Sequence, residues 1–122
     1  MERVKVNFEM SSQDSVVKFL VDGEIQESRI RFIDDDLSKH TIVCQGTSID
    51  YYKIGAMDMS FKFDINNITK GTYKVDHNTF EFDIITTRLE NNSNRLCIEY
   101  ELLQDNEVVN KSKLIINYSV TE

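Results

Sequence analysis

Any chemistry in this chain has to come from few residues. There are two histidines and two cysteines among 122 residues. His40 lies beside a turn-rich segment and His77 within one, so surface roles are expected for both. A zinc site would need them to meet Cys44 and Cys97, whose spacing matches no familiar ligand pattern. The two cysteines sit far apart, each inside a strand-like segment. They read as free, mostly buried thiols in a reducing compartment. Asp34-Asp35-Asp36 offers carboxylates to a hard cation but lacks the spaced oxygen ligands and the glycine of a calcium loop. A solvated turn, with room for one short helical turn up to Lys39, is the expected outcome there. No phosphate-cradling glycine loop, nucleophile elbow or Ser-His-Asp or Cys-His constellation is visible. The chain is therefore read as a non-enzyme without metal or cofactor.

Arg88 is the more informative polar residue. It continues the two-residue phase of Phe80, Phe82, Ile84 and Thr86, so the pattern points it inward. An inward charge must be paired or sit at a wet mouth. One reading makes Arg88 an anchor for an anionic headgroup, with Thr86 and Tyr100 nearby. The more ordinary one ends the strand there and lets Arg88 reach back to water. The stripe Met57, Met59, Phe61 and Phe63 is ordinary core or the lining of an apolar pocket. A binding reading takes Phe61, Phe82, Tyr100 and Arg88 as the ligand contacts.

These residues are positioned by strands. Val4, Val6, Phe8 and Met10 alternate with Lys5, Asn7 and Glu9. Phe80, Phe82 and Ile84 alternate with Glu81 and Asp83. Leu96, Ile98, Tyr100 and Leu102 alternate around Glu99 and Glu101. Side chains on a strand point to opposite faces, so this period means sheet with one dry and one wet face. Turn-rich clusters at Ser11–Ser15, Asp34–Lys39, Gln45–Ser48, Asn66–Gly71, Asp76–Asn78, Asn91–Asn94 and Asp105-Asn106 cut the chain into short strands. That spacing suggests an antiparallel sandwich or barrel. The sequence contains no proline, so its turns rest on Asn, Asp, Ser and four glycines. Gly23 marks either a bulge or a turn.

Three hairpin registers follow from the rule that facing residues share a face. Val75 is expected to face Phe80, and Tyr73 to face Phe82, around a loop at His77-Asn78, with Lys74 opposite Glu81. Ile84 is expected opposite Tyr100 and Phe82 opposite Leu102, which sets Asp83 against Glu101 at a cost in like-charge contact. A three-residue loop, Asp105–Glu107, places Lys111 opposite Glu101 and Lys113 opposite Glu99, and turns Leu114, Ile116, Tyr118 and Val120 inward. The inward aromatic set is Phe8, Phe19, Phe32, Tyr51, Phe61, Phe63, Tyr73, Phe80, Phe82, Tyr100 and Tyr118. Closure into a barrel of about eight strands would remove exposed edges and leave an interior either filled or holding one small ligand.

Length and hydrophobic content, 122 residues and 40%, suit one domain spanning residues 1–122. The net charge is −7, with the acids spread evenly and no basic stripe, so nucleic acid and anionic membrane are poor partners. No stretch approaches the run of about 20 apolar residues that a membrane helix needs. The start, Met1-Glu2-Arg3-Val4, lacks an apolar leader, so a cytoplasmic location is expected.

The stretch Lys53–Leu89 resembles the YwiB-like family of small bacterial proteins. The matching pieces are Gly55-Ala56-Met57-Asp58-Met59-Ser60-Phe61, then Gly71-Thr72-Tyr73, then Phe80 and the run to Thr86-Thr87-Arg88-Leu89. The N-terminal hairpin and the C-terminal meander fit the same layout. The family's Tyr-x-Thr-x-Tyr-Gly pattern keeps only its first tyrosine here, as Tyr73-Lys74-Val75-Asp76-His77-Asn78, so a role resting on the other positions does not carry over. The resemblance implies an all-β fold, a single antiparallel lipocalin-like (calycin-type) barrel of eight to ten strands. It implies no activity, cofactor or catalytic residue.

Two functions fit this reading. One is a binding module that takes a small, mainly apolar ligand in the barrel, with Arg88 or Tyr100 fixing a polar end. The other is a filled barrel that pairs with a partner, or with itself as a homodimer, through its outer wall or an edge strand.

Overall fold

Among the described residues every element is a strand, because the apolar residues recur at every second position. In the computed structural model, which describes residues 1–121, the chain forms ten antiparallel strands. They are β1 (Glu2–Ser12), β2 (Val16–Gln26), β3 (Arg29–Ile33), β4 (Lys39–Gln45) and β5 (Ser48–Ile54), then β6 (Met57–Asp64), β7 (Thr69–Val75), β8 (Asn78–Asn92), β9 (Arg95–Gln104) and β10 (Glu107–Val120). Neighbours in sequence are neighbours in space, and β1 pairs with β10 from Val4–Val120 to Ser12–Ser112, which closes a barrel. The expected all-β antiparallel barrel is thus what forms, with the strand number at the upper end of the expected range. In such an up-and-down barrel alternate hairpin turns share an end. The turns at 13–15, 34–38, 55–56, 76–77 and 105–106 share one end, called here the loop end.

Val4, Val6, Phe8, Ile42, Ile49, Tyr51, Phe61, Phe63, Ile84, Ile98, Leu114 and Ile116 are buried in the interior. Aromatic rings fill it in two groups. Phe8, Phe19, Phe32, His40 and Tyr51 pack on the β1–β5 side; Phe61, Phe63, Tyr73, Phe82 and Tyr100 pack on the β6–β9 side. Phe80, expected inside, is 46% exposed at the rim, and Val120, expected inward, is 52% exposed near the chain's end.

Register corrects part of the sequence reading. In the β9–β10 hairpin Lys111 faces Glu101 and Lys113 faces Glu99, as the charges required. The turn, however, is the two residues Asp105-Asn106, both at positive φ (53° and 66°), and the extra residue is absorbed as a bulge at Val109. In the β7–β8 hairpin Tyr73 faces Phe80, Val75 faces Asn78 and Lys74 faces Thr79, a slip of two residues from the expected pairing. The turn is Asp76-His77, so the positive φ of 57° falls on an aspartate, which tolerates it better than a histidine. Across β8–β9, Ile84 faces Leu102 and Thr86 faces Tyr100. Asp83 then avoids Glu101 and pairs with Lys70 at 2.5 Å on the outer wall.

Gly23 is neither a bulge nor a turn; it lies inside β2, opposite Val4 and Phe32. A Cβ there would sit 2.7 Å from the Arg31 carbonyl oxygen, so the close approach of β3 requires glycine. The turn is instead at Glu27-Ser28, with Glu27 at φ 56°. Asp34–Ser38 forms a hydrogen-bonded turn, Leu37 N–H donating to the Asp34 carbonyl at 3.0 Å, and no helical turn.

Candidate functional site

The interior holds two polar groupings, and each is built from neighbouring strands. The first joins the β3–β4 turn to the core. His40 is only 2% exposed, its ring stacked on Phe32 at 4.5 Å and lying 5.8 Å from both Phe19 and Tyr51. This overturns the surface role expected for it; His77 does lie exposed in its turn. His40 shares the two-residue phase of Ile42, a signal that marks it as inward. Its Nε2 meets Asp34 Oδ2 at 2.8 Å and its Nδ1 meets the Tyr51 hydroxyl at 2.7 Å.

The protons in this relay are assigned by its partners. Burial is the largest influence on His40 and holds its pKa below the ordinary 6.5, against the attraction of Asp34. The ring is therefore neutral, donating Nε2–H to Asp34 and accepting the Tyr51 O–H at Nδ1. Burial opposes ionisation of Asp34, but hydrogen bonds from His40 and from the Ser38 amide, with the attraction of His40, outweigh it and lower its pKa. Burial pushes the Tyr51 phenol well up, so it keeps its proton. The other Asp34 oxygen accepts the amides of Asp36 (2.9 Å) and Ser38 (3.0 Å). Of the three aspartates expected in a solvated turn, Asp34 is thus turned inward, with 9% of its side chain exposed, and Asp35 and Asp36 stay in water. Every polar atom of the relay has a partner, and Tyr51, 1% exposed, seals its inner end. Such a network anchors a turn to a core.

The second grouping is a row of hydroxyls on β8, β9 and β10. Thr86, Tyr100 and Ser112 face one another across adjacent strands at 5%, 3% and 9% exposure. The Thr86 Oγ1 is buried and has no hydrogen-bond partner among the described residues. The Tyr100 hydroxyl points at the Met10 sulfur, 4.0 Å away, a weak acceptor. Burial raises the Tyr100 pKa, so this hydroxyl stays neutral. Met10, half-buried, covers the row from the loop end, and Met57, Tyr73, Val75 and Phe82 are half-buried around the rim.

Below the row the barrel is filled. Phe61 and Tyr100 have ring centres 6.1 Å apart, and Phe63 and Tyr100 4.7 Å. Gly71 makes this packing fit: a Cβ there would lie 2.7 Å from Phe61 Cδ1 and 2.8 Å from Ile84 Cδ1. Phe61, Phe82 and Tyr100 are therefore inward, as the sequence suggested, but Phe82 packs its ring on Tyr73 at 5.7 Å, and Phe61, against Tyr100, belongs to a floor.

Arg88 is not with them. A bulge at Thr87 separates the Thr86–Tyr100 pair from the Arg88–Glu99 pair and reverses the phase of β8. Leu89 takes the inward place, and Arg88 lies on the outer wall, bonded to Glu90 (2.9 Å) and Glu99 (3.2 Å). The bulge reconciles two demands. The Ser93-Asn94 turn, with Asn94 at φ 68°, sets one register, and the Ile84–Leu102 core pair sets another.

Other features lie apart. Cys44 and Cys97 are free thiols, Cys97 buried and Cys44 partly so, and burial raises the Cys44 pKa. Among the described residues no three His, Cys, Asp or Glu side chains gather as a metal site would need, and no helix is long and apolar enough to cross a membrane. A groove of about 880 Å³ opens on the outer wall of β1–β4, where Arg3, Lys5, Arg31 and Lys39 stand among Asp22 and Glu24.

A family model described as a domain of unknown function, DUF1934, matches residues 3–116. The chain belongs to the DUF1934 family. Among solved structures, the crystal structure of the ywiB protein from Bacillus subtilis superposes with a TM-score of 0.76 at 15% identity, covering 99% of this chain and 93% of that one. At that identity the likeness speaks for the DUF1934 fold alone, and it agrees with the YwiB-like resemblance read from Lys53–Leu89. No curated protein matches this sequence. The buried histidine relay and the hydroxyl row of this DUF1934 chain therefore have to be interpreted from their own chemistry.

Proposed function

We propose that this chain is a non-catalytic binding module that takes one small, mainly apolar ligand at the loop end of its barrel. The Thr86 and Tyr100 hydroxyls engage the ligand's polar end, above a floor of Phe61 and Phe63. The observation that carries this reading is the Thr86 Oγ1, buried without a partner. A buried hydroxyl left unpaired costs about 1–3 kcal/mol, which a bound acceptor or donor would recover. The half-buried apolar rim supports it, and Met10 is the side chain best able to swing aside, being unbranched and flexible. Arg88, bonded on the outer wall, takes no part, so the ligand's polar end is neutral rather than anionic.

Native mass spectrometry of protein purified from its own cell, compared with the denatured mass, tests this. One retained small molecule is expected, with straight-chain alcohols quenching tyrosine fluorescence in the emptied protein and Thr86→Val weakening that response. An empty protein that answers to no alcohol of any chain length rejects the reading. That result would favour the second one, a filled barrel acting through its outer wall, which the close packing of Phe61, Phe63 and Tyr100 supports.

A further inference from the structure

The barrel closes unevenly. β2 pairs with β1 along Val16–Ile25, but with β3 only along Gly23–Gln26. Val16–Asp22 has no strand on its other side among the described residues. Such an edge presents a row of unpaired backbone groups, a template for another strand. Its flanks are apolar: Val16, Val17 and Leu20 are 59%, 50% and 64% exposed. Natural edges are usually blunted by charge, and Lys18 and Asp22 stand on this one.

We propose that the free edge of β2 pairs with the same edge of a second copy, antiparallel about a two-fold axis at Leu20. This register puts Leu20 opposite Leu20 of the second copy, Phe19 opposite Val21, and Lys18 opposite Asp22; it ends at these five residues, because Gly23 and Glu24, which Val17 and Val16 would meet, already pair with β3. The charges decide it. Lys18 already meets Glu9 at 3.4 Å and Asp22 meets Lys5 at 2.6 Å within one chain. Across the two-fold these become one alternating row: Lys5, Asp22, Lys18 of the second copy, Glu9 of the second copy. Opposite charges on facing strands stabilise a pair, and like charges destabilise it. Registers two residues away lose this match. One sets Lys18 against Leu20. The other sets Leu20 against Asp22 and offers Lys18 only Glu24, whose edge already pairs with Arg31 of β3. Shifts of one residue would place inward side chains opposite outward ones. Two chains of charge −7 repel at long range, so a self-contact needs complementary charge of this kind. The two-fold symmetry makes the contact closed, giving a dimer and no fibre.

The test uses two full-length variants. K18D carries acids at both positions and D22K bases at both, so each opposes like charges in its own homodimer. Mixed together they restore both opposite pairs. In sedimentation velocity the wild type is expected to dimerise with concentration, each variant alone to dissociate about tenfold or more readily, and the equimolar mixture to recover the dimer as a heterodimer seen in native mass spectrometry. Both side chains are exposed, and circular dichroism checks that each variant keeps its barrel. A wild type that stays monomeric at every concentration overturns the proposal. So do variants that dimerise like the wild type, or a mixture that stays monomeric.

Discussion

The two sides of this barrel handle buried polar groups in opposite ways. On the β3–β5 side, Asp34, His40 and Tyr51 form a chain in which each donor finds an acceptor, and aromatic rings seal it. On the β8–β10 side, Thr86, Tyr100 and Ser112 stand equally deep, yet Thr86 is orphaned and the Tyr100 hydroxyl has the Ser112 hydroxyl and a weakly accepting thioether beside it. Depth alone does not decide whether a buried polar group is satisfied here; its neighbours do. A completed network stabilises and specifies a core, and an incomplete one carries a cost that a partner can relieve. The histidine, the residue most readily suspected of chemistry, belongs to the completed network.

Removing the centre of the complete network should have the largest effect. His40→Ala leaves the Asp34 carboxylate without its ring donor and the Tyr51 hydroxyl without an acceptor, beside a gap against Phe32. A loss of about 3–5 kcal/mol in urea unfolding is expected. A loss below about 1 kcal/mol would mean that water replaces the ring and that the relay is no anchor.

The sharpest comparison makes the same change on both sides. Tyr51→Phe removes a hydrogen bond to a buried nitrogen and should cost about 1–3 kcal/mol, while Tyr100→Phe removes weaker contacts with the Met10 sulfur and the Ser112 hydroxyl and should cost less, about 1 kcal/mol or below. Equal losses would erase the distinction between the two groupings.

The smallest effect is in pH. His40 is held neutral below its ordinary pKa of 6.5, so the unfolded chain takes up that proton first, and stability falls as pH drops through 6.5. Asp34 is held ionised below its ordinary 3.8, so its contribution is present above that value and is lost as pH falls through 3.8 towards its lowered pKa. Thermal unfolding should therefore be flat between about pH 7 and about pH 8 and decline in two stages on acidification, with His40→Asn removing the first. A midpoint unchanged between about pH 7.5 and about pH 5 would show that His40 is not kept neutral.

Much of the fold was legible because strand period and charge pairing are local. Lys111 and Lys113 could be matched to Glu101 and Glu99 from sequence, and the structure keeps both pairs although the turn is one residue shorter, since a bulge at Val109 makes up the count. Phe61, Phe82 and Tyr100 were legible as inward for the same reason. Arg88 was not, because a single extra residue at Thr87 reverses every side chain after it, and nothing in the local composition announces that insertion. His40 was misread through its neighbours: the three aspartates suggested a wet turn, while the phase shared with Ile42 carried the truer signal.

By itself the sequence determined that the chain would form short antiparallel strands with one dry face, in a sandwich or a barrel, because alternation, turn residues and facing charges act over a few residues; that β1 meets β10 and closes a barrel came from the tertiary structure. The tertiary structure decided which polar groups would be paired. Asp34 reaches His40 six residues away, and Tyr51 meets it from the neighbouring strand. Thr86 is orphaned by a register set in two distant places, the Ser93-Asn94 turn and the Ile84–Leu102 pair. Hydrogen bonds depend on tenths of an ångström between strands, and that distance exists only once the barrel has closed.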